Sequence, residues 1–132
     1  MRNFTIQELT ASTTAAAKKI NNDPTPEAAE NLKLLVDKVL DPLRDAYGKP
    51  IRVNSGYRSP ALNAAVRGSK TSQHMKGQAA DITGGSKQEN KKLFELAQKL
   101  NLPYCQLIDE KNFSWVHISY DKNNAKRQIL HL

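Results

Sequence analysis

The chain has 132 residues, a formal net charge of +7 and a pI near 9.6. This length suits one domain that buries roughly two-thirds of its unfolded surface, and the single cysteine, Cys105, excludes an internal disulfide. The basic balance favours an anionic partner, but the lysines are dispersed and lack the interleaved aromatic residues on which single-strand binders stack bases, which argues against nucleic acid.

No run approaches the roughly 18 apolar residues of a membrane span. The N-terminus Met1-Arg-Asn-Phe-Thr-Ile-Gln-Glu has neither an apolar h-region nor a small-residue cleavage site, which predicts synthesis in the cytoplasm without a signal peptide. Residues 1–24 read as an N-terminal arm, with Thr5 capping a short turn through Ile6 and Leu9. Thr25-Pro26-Glu27 opens a helix with a capping hydroxyl, a proline at the first helical position and an acid in the first turn. Its apolar positions Ala28, Leu32, Leu35, Val39, Leu43 and Ala46 form one stripe as far as about Tyr47. Pro42 interrupts that stripe and predicts a kink near Val39 or a restart at Asp41.

Gly48-Lys-Pro50 is a turn, Ile51–Asn54 a short strand, and Ser55–Pro60 a loop leading into a short helix through Leu62, Ala65 and Val66. Residues 68–77 are polar, as suits a loop over a cleft, and Ala79–Thr83 resumes as a strand. Alternation puts Asp81 on one face with Ala79 and Thr83, and Ala80 and Ile82 on the core face. Ser86-Lys-Gln-Glu89 has the pattern of a capping box ahead of a helix with Leu93, Leu96, Ala97 and Leu100 on its apolar side. Tyr104–Ile108 and Trp115–Tyr120 read as strands joined by Asp109–Asn112, with Cys105 a buried structural thiol in the first. The element order predicts a single α+β domain with a small, largely antiparallel sheet.

Ser72-Gln-His74-Met-Lys-Gly77-Gln-Ala79-Ala80-Asp81 places an imidazole and a carboxylate seven residues apart across a glycine. In Trp115-Val-His117-Ile-Ser119 the valine and isoleucine belong to the core, so His117 faces the other way, toward Asp81 if the two strands share a sheet. Two imidazoles and one carboxylate suit a zinc ion and leave a coordination position open to water, as in catalytic rather than structural zinc sites. An isolated strand histidine is more often a hydrogen-bonded core residue, so the case rests on the three together. His131, near the C-terminus, reads as frayed and uninvolved.

With Ser55-Gly-Tyr-Arg58-Ser, these motifs resemble the signatures of the zinc D-Ala-D-Ala carboxypeptidase family, which includes VanY-type carboxypeptidases and phage endolysins that cut L-Ala-D-Glu bonds and shares a metal-site fold with Hedgehog signalling domains. The likeness covers residues 26–120. It implies a peptidoglycan peptidase with one Zn2+ held by His74, Asp81 and His117, and with Arg58 near the substrate carbonyl, where a permanently charged fork stabilises an oxyanion. It also implies helices on one face of the sheet and the zinc in a cleft on the other. The commonest family pattern has a carboxylate three residues before the last histidine, where this chain has Ser114; the general-base role then passes to Glu110 or Asp109, and Glu110 is the choice.

Ser72, Gln73, Tyr57 and Trp115 are candidate substrate contacts; bracing of the metal loop by Ser72 and Tyr57 and packing by Trp115 are the competing readings. Cell wall is an anionic polymer that suits the basic charge. A monomer, encoded by a phage or prophage and acting on the wall after release, is the expectation. Ser114 keeps open a second function, a non-catalytic zinc-containing wall-binding or interaction domain, and a basic nucleic-acid-binding module is a third.

Overall fold

A computed structural model describes residues 1–132. The N-terminal arm forms two short helices, α1 (Ile6–Thr10) and α2 (Thr13–Ala17), capped by the Thr5 and Ser12 hydroxyls. The arm is tied to the core, because Leu9 is fully buried and its carbonyl accepts from the Tyr57 amide at 2.7 Å.

Helix α3 (Pro26–Leu35) starts where Thr25 Oγ accepts from the Ala28 amide at 3.1 Å. A π-helical turn, Val36–Leu40, then leads into α4 (Asp41–Tyr47), so Pro42 falls in the first turn of a new helix. The reason is local: Pro42 has no N–H to give, and the Asp41 amide reaches back five residues to the Val36 carbonyl. The buried stripe runs through Leu32, Leu35, Val36, Val39, Leu40 and Leu43 without a gap. Asp41 is also buried, where its carboxylate accepts from the Arg2 and Asn3 amides at 2.8 and 3.0 Å.

After the left-handed Gly48 come β1 (Arg52–Ser55), α5 (Pro60–Ala65), a 3₁₀ turn at Gln73–Lys76, β2 (Ala79–Thr83) and α6 (Lys87–Lys99). The expected capping box forms by half: Ser86 Oγ accepts from the Glu89 amide, but the Glu89 carboxylate turns to Tyr47, Lys49 and Lys92. The chain then builds β3 (Gln106–Glu110), β4 (Trp115–Ser119) and β5 (Gln128–His131).

The sheet order is β1-β2-β4-β3-β5, and the sheet is mixed: β1–β2, β2–β4 and β3–β4 pair antiparallel, while β5 pairs parallel with β3. Alternation has the expected consequence. Ala80, Ile82, Leu107, Val116 and Ile118 join the helices in one hydrophobic core, leaving Asp81 and His117 on the other face.

Two expectations near the C-terminus are corrected. Asp109 and Glu110 belong to β3, so the hairpin connection is Lys111–Ser114 instead of Asp109–Asn112. The turn closes late because Asp109 Oδ1 accepts from the Phe113 amide at 2.6 Å, which holds Lys111, Asn112 and Phe113 at positive φ. His131 is not frayed, because β5 adds to the β3 edge and the Leu132 amide donates to the Asp109 carbonyl at 2.7 Å.

Candidate metal centre

Asp81 and His117 are directly opposed in the β2–β4 ladder, where side chains on one face stand close together. Their side chains meet with His117 Nδ1 3.0 Å from Asp81 Oδ1. His74 arrives from the 3₁₀ turn, whose start is capped by Ser72 Oγ accepting from the His74 amide at 3.1 Å. The turn ends at Gly77, with φ +71° and a Cβ position only 2.3 Å from the Ala28 carbonyl oxygen. No side chain fits there, so α3 presses directly on the metal loop.

His74 Nδ1 lies 2.7 Å from the Gly56 carbonyl, which can only accept, so Nδ1 carries the proton and the Nε2 lone pair faces Asp81 Oδ1 at 3.4 Å. Two electron-pair donors directed at one another call for a cation between them. One ligand atom from each of His74, Asp81 and His117 lies within 4.8 Å of the other two. Bonds of 2.0–2.2 Å in a tetrahedron set ligand atoms about 3.4 Å apart, so the donor set fits zinc. Burial raises the Asp81 carboxyl, but the His117 and His74 imidazoles beside it outweigh that effect and hold the group well below the usual carboxylate range. Asp81 is therefore ionised at neutral pH, as a ligand must be.

Arg58 stands beside this group, with Nη2 3.6 Å from Asp81 Oδ2. Its fork is held by Nε donating to Ser55 Oγ at 3.1 Å and Nη1 donating to Asn63 Oδ1 at 3.2 Å. Asn63 is itself buried and donates to the Ser69 carbonyl. Neither Asn63 nor the Gly56 carbonyl was singled out by the motifs, although Gly56 lies inside one of them. A backbone acceptor leaves no mark on residue type.

A polar groove of about 450 Å³ is lined by His117 together with Ser72, Gln73, Gln106, Glu110 and Lys126. Glu110 is paired with Trp115, two residues from His117, which puts it on the metal face. Asp109 is paired with Val116 on the core side, and its oxygens accept from the Phe113 amide and contact His131 Nδ1 at 3.3 Å. The register thus puts the two acids on opposite faces of the sheet.

Tyr57 is 4% exposed within the hydrophobic core, and its backbone braces the loop by bonding Leu9 and Asn22, which favours the bracing reading over substrate contact. Trp115 stands apart from the groove lining, half-buried under the Lys111 ammonium at 5.6 Å, with its indole N–H unpartnered. Ser114 Oγ donates to the Lys111 carbonyl at 2.7 Å and serves the turn.

Residues 2–119 match the peptidase M15 family. A stretch of 48 residues is 50% identical to the zinc D-Ala-D-Ala carboxypeptidase of Streptomyces albus G, covering 36% of this chain and 19% of that relative. The shared stretch is thus about a fifth of the relative's length, and Lys126 in the groove wall lies beyond the residues matched to the family. With that match over most of its length and the His74–Asp81–His117 group at its centre, the chain belongs to the peptidase M15 family of VanY-like zinc metallopeptidases.

Proposed function

We propose that the chain hydrolyses peptide bonds in the stem peptides of bacterial peptidoglycan, as a D-Ala-D-Ala carboxypeptidase or an endolysin-type endopeptidase, with His74, Asp81 and His117 holding a single zinc ion. The observation that carries the reading is the convergence of these three ligand atoms beside a polar groove that also takes in a carboxylate, Glu110. The kinship with a zinc D-Ala-D-Ala carboxypeptidase supports the substrate class.

When bound, zinc supplies a Lewis acid and a water acidified toward neutrality. The protein's own groups do the rest. Glu110 takes the proton from the attacking water and passes it to the leaving amine. Arg58, fixed by Ser55 and Asn63, stabilises the oxyanion that develops on the peptide carbonyl. Ser72 and Gln73 line the groove where the peptide lies. No helix is long and apolar enough to cross a membrane, and the chain acts on the wall as a monomer.

The test is peptide release from purified peptidoglycan, abolished by a chelator and restored by zinc. Glu110→Gln should keep its zinc and lose turnover by about 10²–10⁴-fold; full turnover in that variant eliminates Glu110 as the base. Ser114, in place of the carboxylate of the commonest family pattern, favours a second reading, a zinc-containing domain that binds wall without cutting it. Binding without release would establish that alternative.

A further inference from the structure

The turn that follows Glu110 is conformationally expensive. Lys111, Asn112 and Phe113 are consecutive left-handed residues, with φ of 46°, 55° and 59°, and none is glycine. L-residues resist this region because Cβ crowds the carbonyl oxygen. Such a turn persists only where its surroundings over-determine it.

Some restraints are local: the Phe113 amide to Asp109 Oδ1, the Ser114 amide to the Glu110 carbonyl at 3.0 Å, and Ser114 Oγ to the Lys111 carbonyl. The restraint from outside is Asn90, in the first turns of α6 and 1% exposed. Its Nδ2 donates to the Phe113 carbonyl at 2.8 Å and the Ser114 carbonyl at 3.2 Å. Its Oδ1 accepts from Thr83 Oγ1 at 3.0 Å and the Gly84 amide at 2.8 Å. All four hydrogen-bonding positions of the amide are thereby filled. One side of Asn90 holds the end of β2, two residues from Asp81; the other holds the turn that ends the strand carrying Glu110.

We propose that Asn90 is a positioning residue: a buried strut that ties the strand of the metal ligand Asp81 to the left-handed turn, and so fixes where the Glu110 carboxylate stands relative to the metal site. The inference rests on Glu110 acting as the base. Asn90 touches neither substrate nor metal ligand and acts through the backbone of residues 84, 113 and 114 and the Thr83 hydroxyl.

The experiment compares zinc-loaded wild type, Asn90→Ala, Asn90→Asp and the double variant Asn90→Ala/Asn112→Gly. Asn90→Asp keeps the acceptor and removes both donors, so it reports on the strut if the alanine variant folds poorly. Amide hydrogen exchange should rise tenfold or more at Phe113 and Ser114, while the β2 and β4 amides stay protected and zinc content stays at the wild-type level. On peptidoglycan fragments kcat should fall tenfold or more with KM little changed. Glycine at exposed position 112 accepts positive φ freely, so Asn112→Gly should recover a large part of the lost kcat. Unchanged exchange at the turn, a kcat loss that merely follows zinc loss, or a double variant as poor as Asn90→Ala would overturn the proposal. A wild type without turnover would instead remove the peptidase reading, while the exchange data would still decide whether the strut exists.

Discussion

Gly77 and Gly48 both adopt left-handed φ, +71° and +75°, yet they differ in what surrounds them. A Cβ at Gly48 meets nothing within 4 Å, whereas one at Gly77 would lie 2.3 Å from the Ala28 carbonyl oxygen and 3.2 Å from its Cα. Alanine at position 48 should therefore cost only the conformational penalty, about 1–2 kcal/mol. Alanine at 77 adds a clash with backbone of α3 that no side-chain rotation relieves, worth about a further 1–3 kcal/mol on the scale of overpacked cores. The total of about 2–5 kcal/mol lowers Tm by roughly 8–20 °C at about 4 °C per kcal/mol for a domain of this size. Thermal unfolding followed by circular dichroism should be run with a chelator, because bound metal would stabilise the native state by mass action. Gly77→Ala should also weaken zinc binding by moving the His74 turn, while Gly48→Ala leaves it intact. Equal Tm shifts in the two variants, with equal zinc affinity, would refute the claim that α3 presses the metal loop into place.

Arg58→Lys exchanges a fork held by Ser55 and Asn63 for a point charge. It should lower kcat by about tenfold to a hundredfold while zinc content and Tm stay near wild type; steady-state kinetics beside metal analysis checks this, and unchanged kcat would remove Arg58 from the reaction. Hydrogen bonds from Lys49, Lys92 and Tyr47 lower the Glu89 carboxyl from 4.5 to about 2. A depressed folded-state pKa means that its stabilisation is present above pH 4.5 and lost as pH falls toward 2. Glu89→Gln should accordingly melt below wild type at pH 7 and approach it near pH 2, and a Tm difference independent of pH would contradict the assignment.

The convergence of His74, Asp81 and His117 was legible in the sequence because zinc chemistry restricts residue type, and strand alternation then puts Asp81 and His117 on one face. Which of Asp109 and Glu110 shares a face with His117 depends on a register set by backbone hydrogen bonds, which side-chain patterning around a polar turn does not encode. β5 escaped notice because Gln128–His131 lies at an exposed edge and does not alternate between apolar and polar residues. Pro42 announced a disturbance, but the π-helical turn that resolves it preserves the buried stripe and so leaves the apolar spacing nearly regular. Asn90 and the Gly56 carbonyl act across long sequence separations through bonds between a side chain and backbone, and Asn63 through a side-chain bond to Arg58, none of which a residue pattern reveals.

The central claim is that His74, Asp81 and His117 share one metal ion. Elemental analysis of protein purified without added metal, in wild type and in Asp81→Ala, His74→Ala and His131→Ala, tests it most directly. About one zinc per chain should be present in wild type and in His131→Ala and absent from the other two. Zinc that survives the loss of Asp81 and His74, or none in wild type even after zinc is supplied, would contradict it.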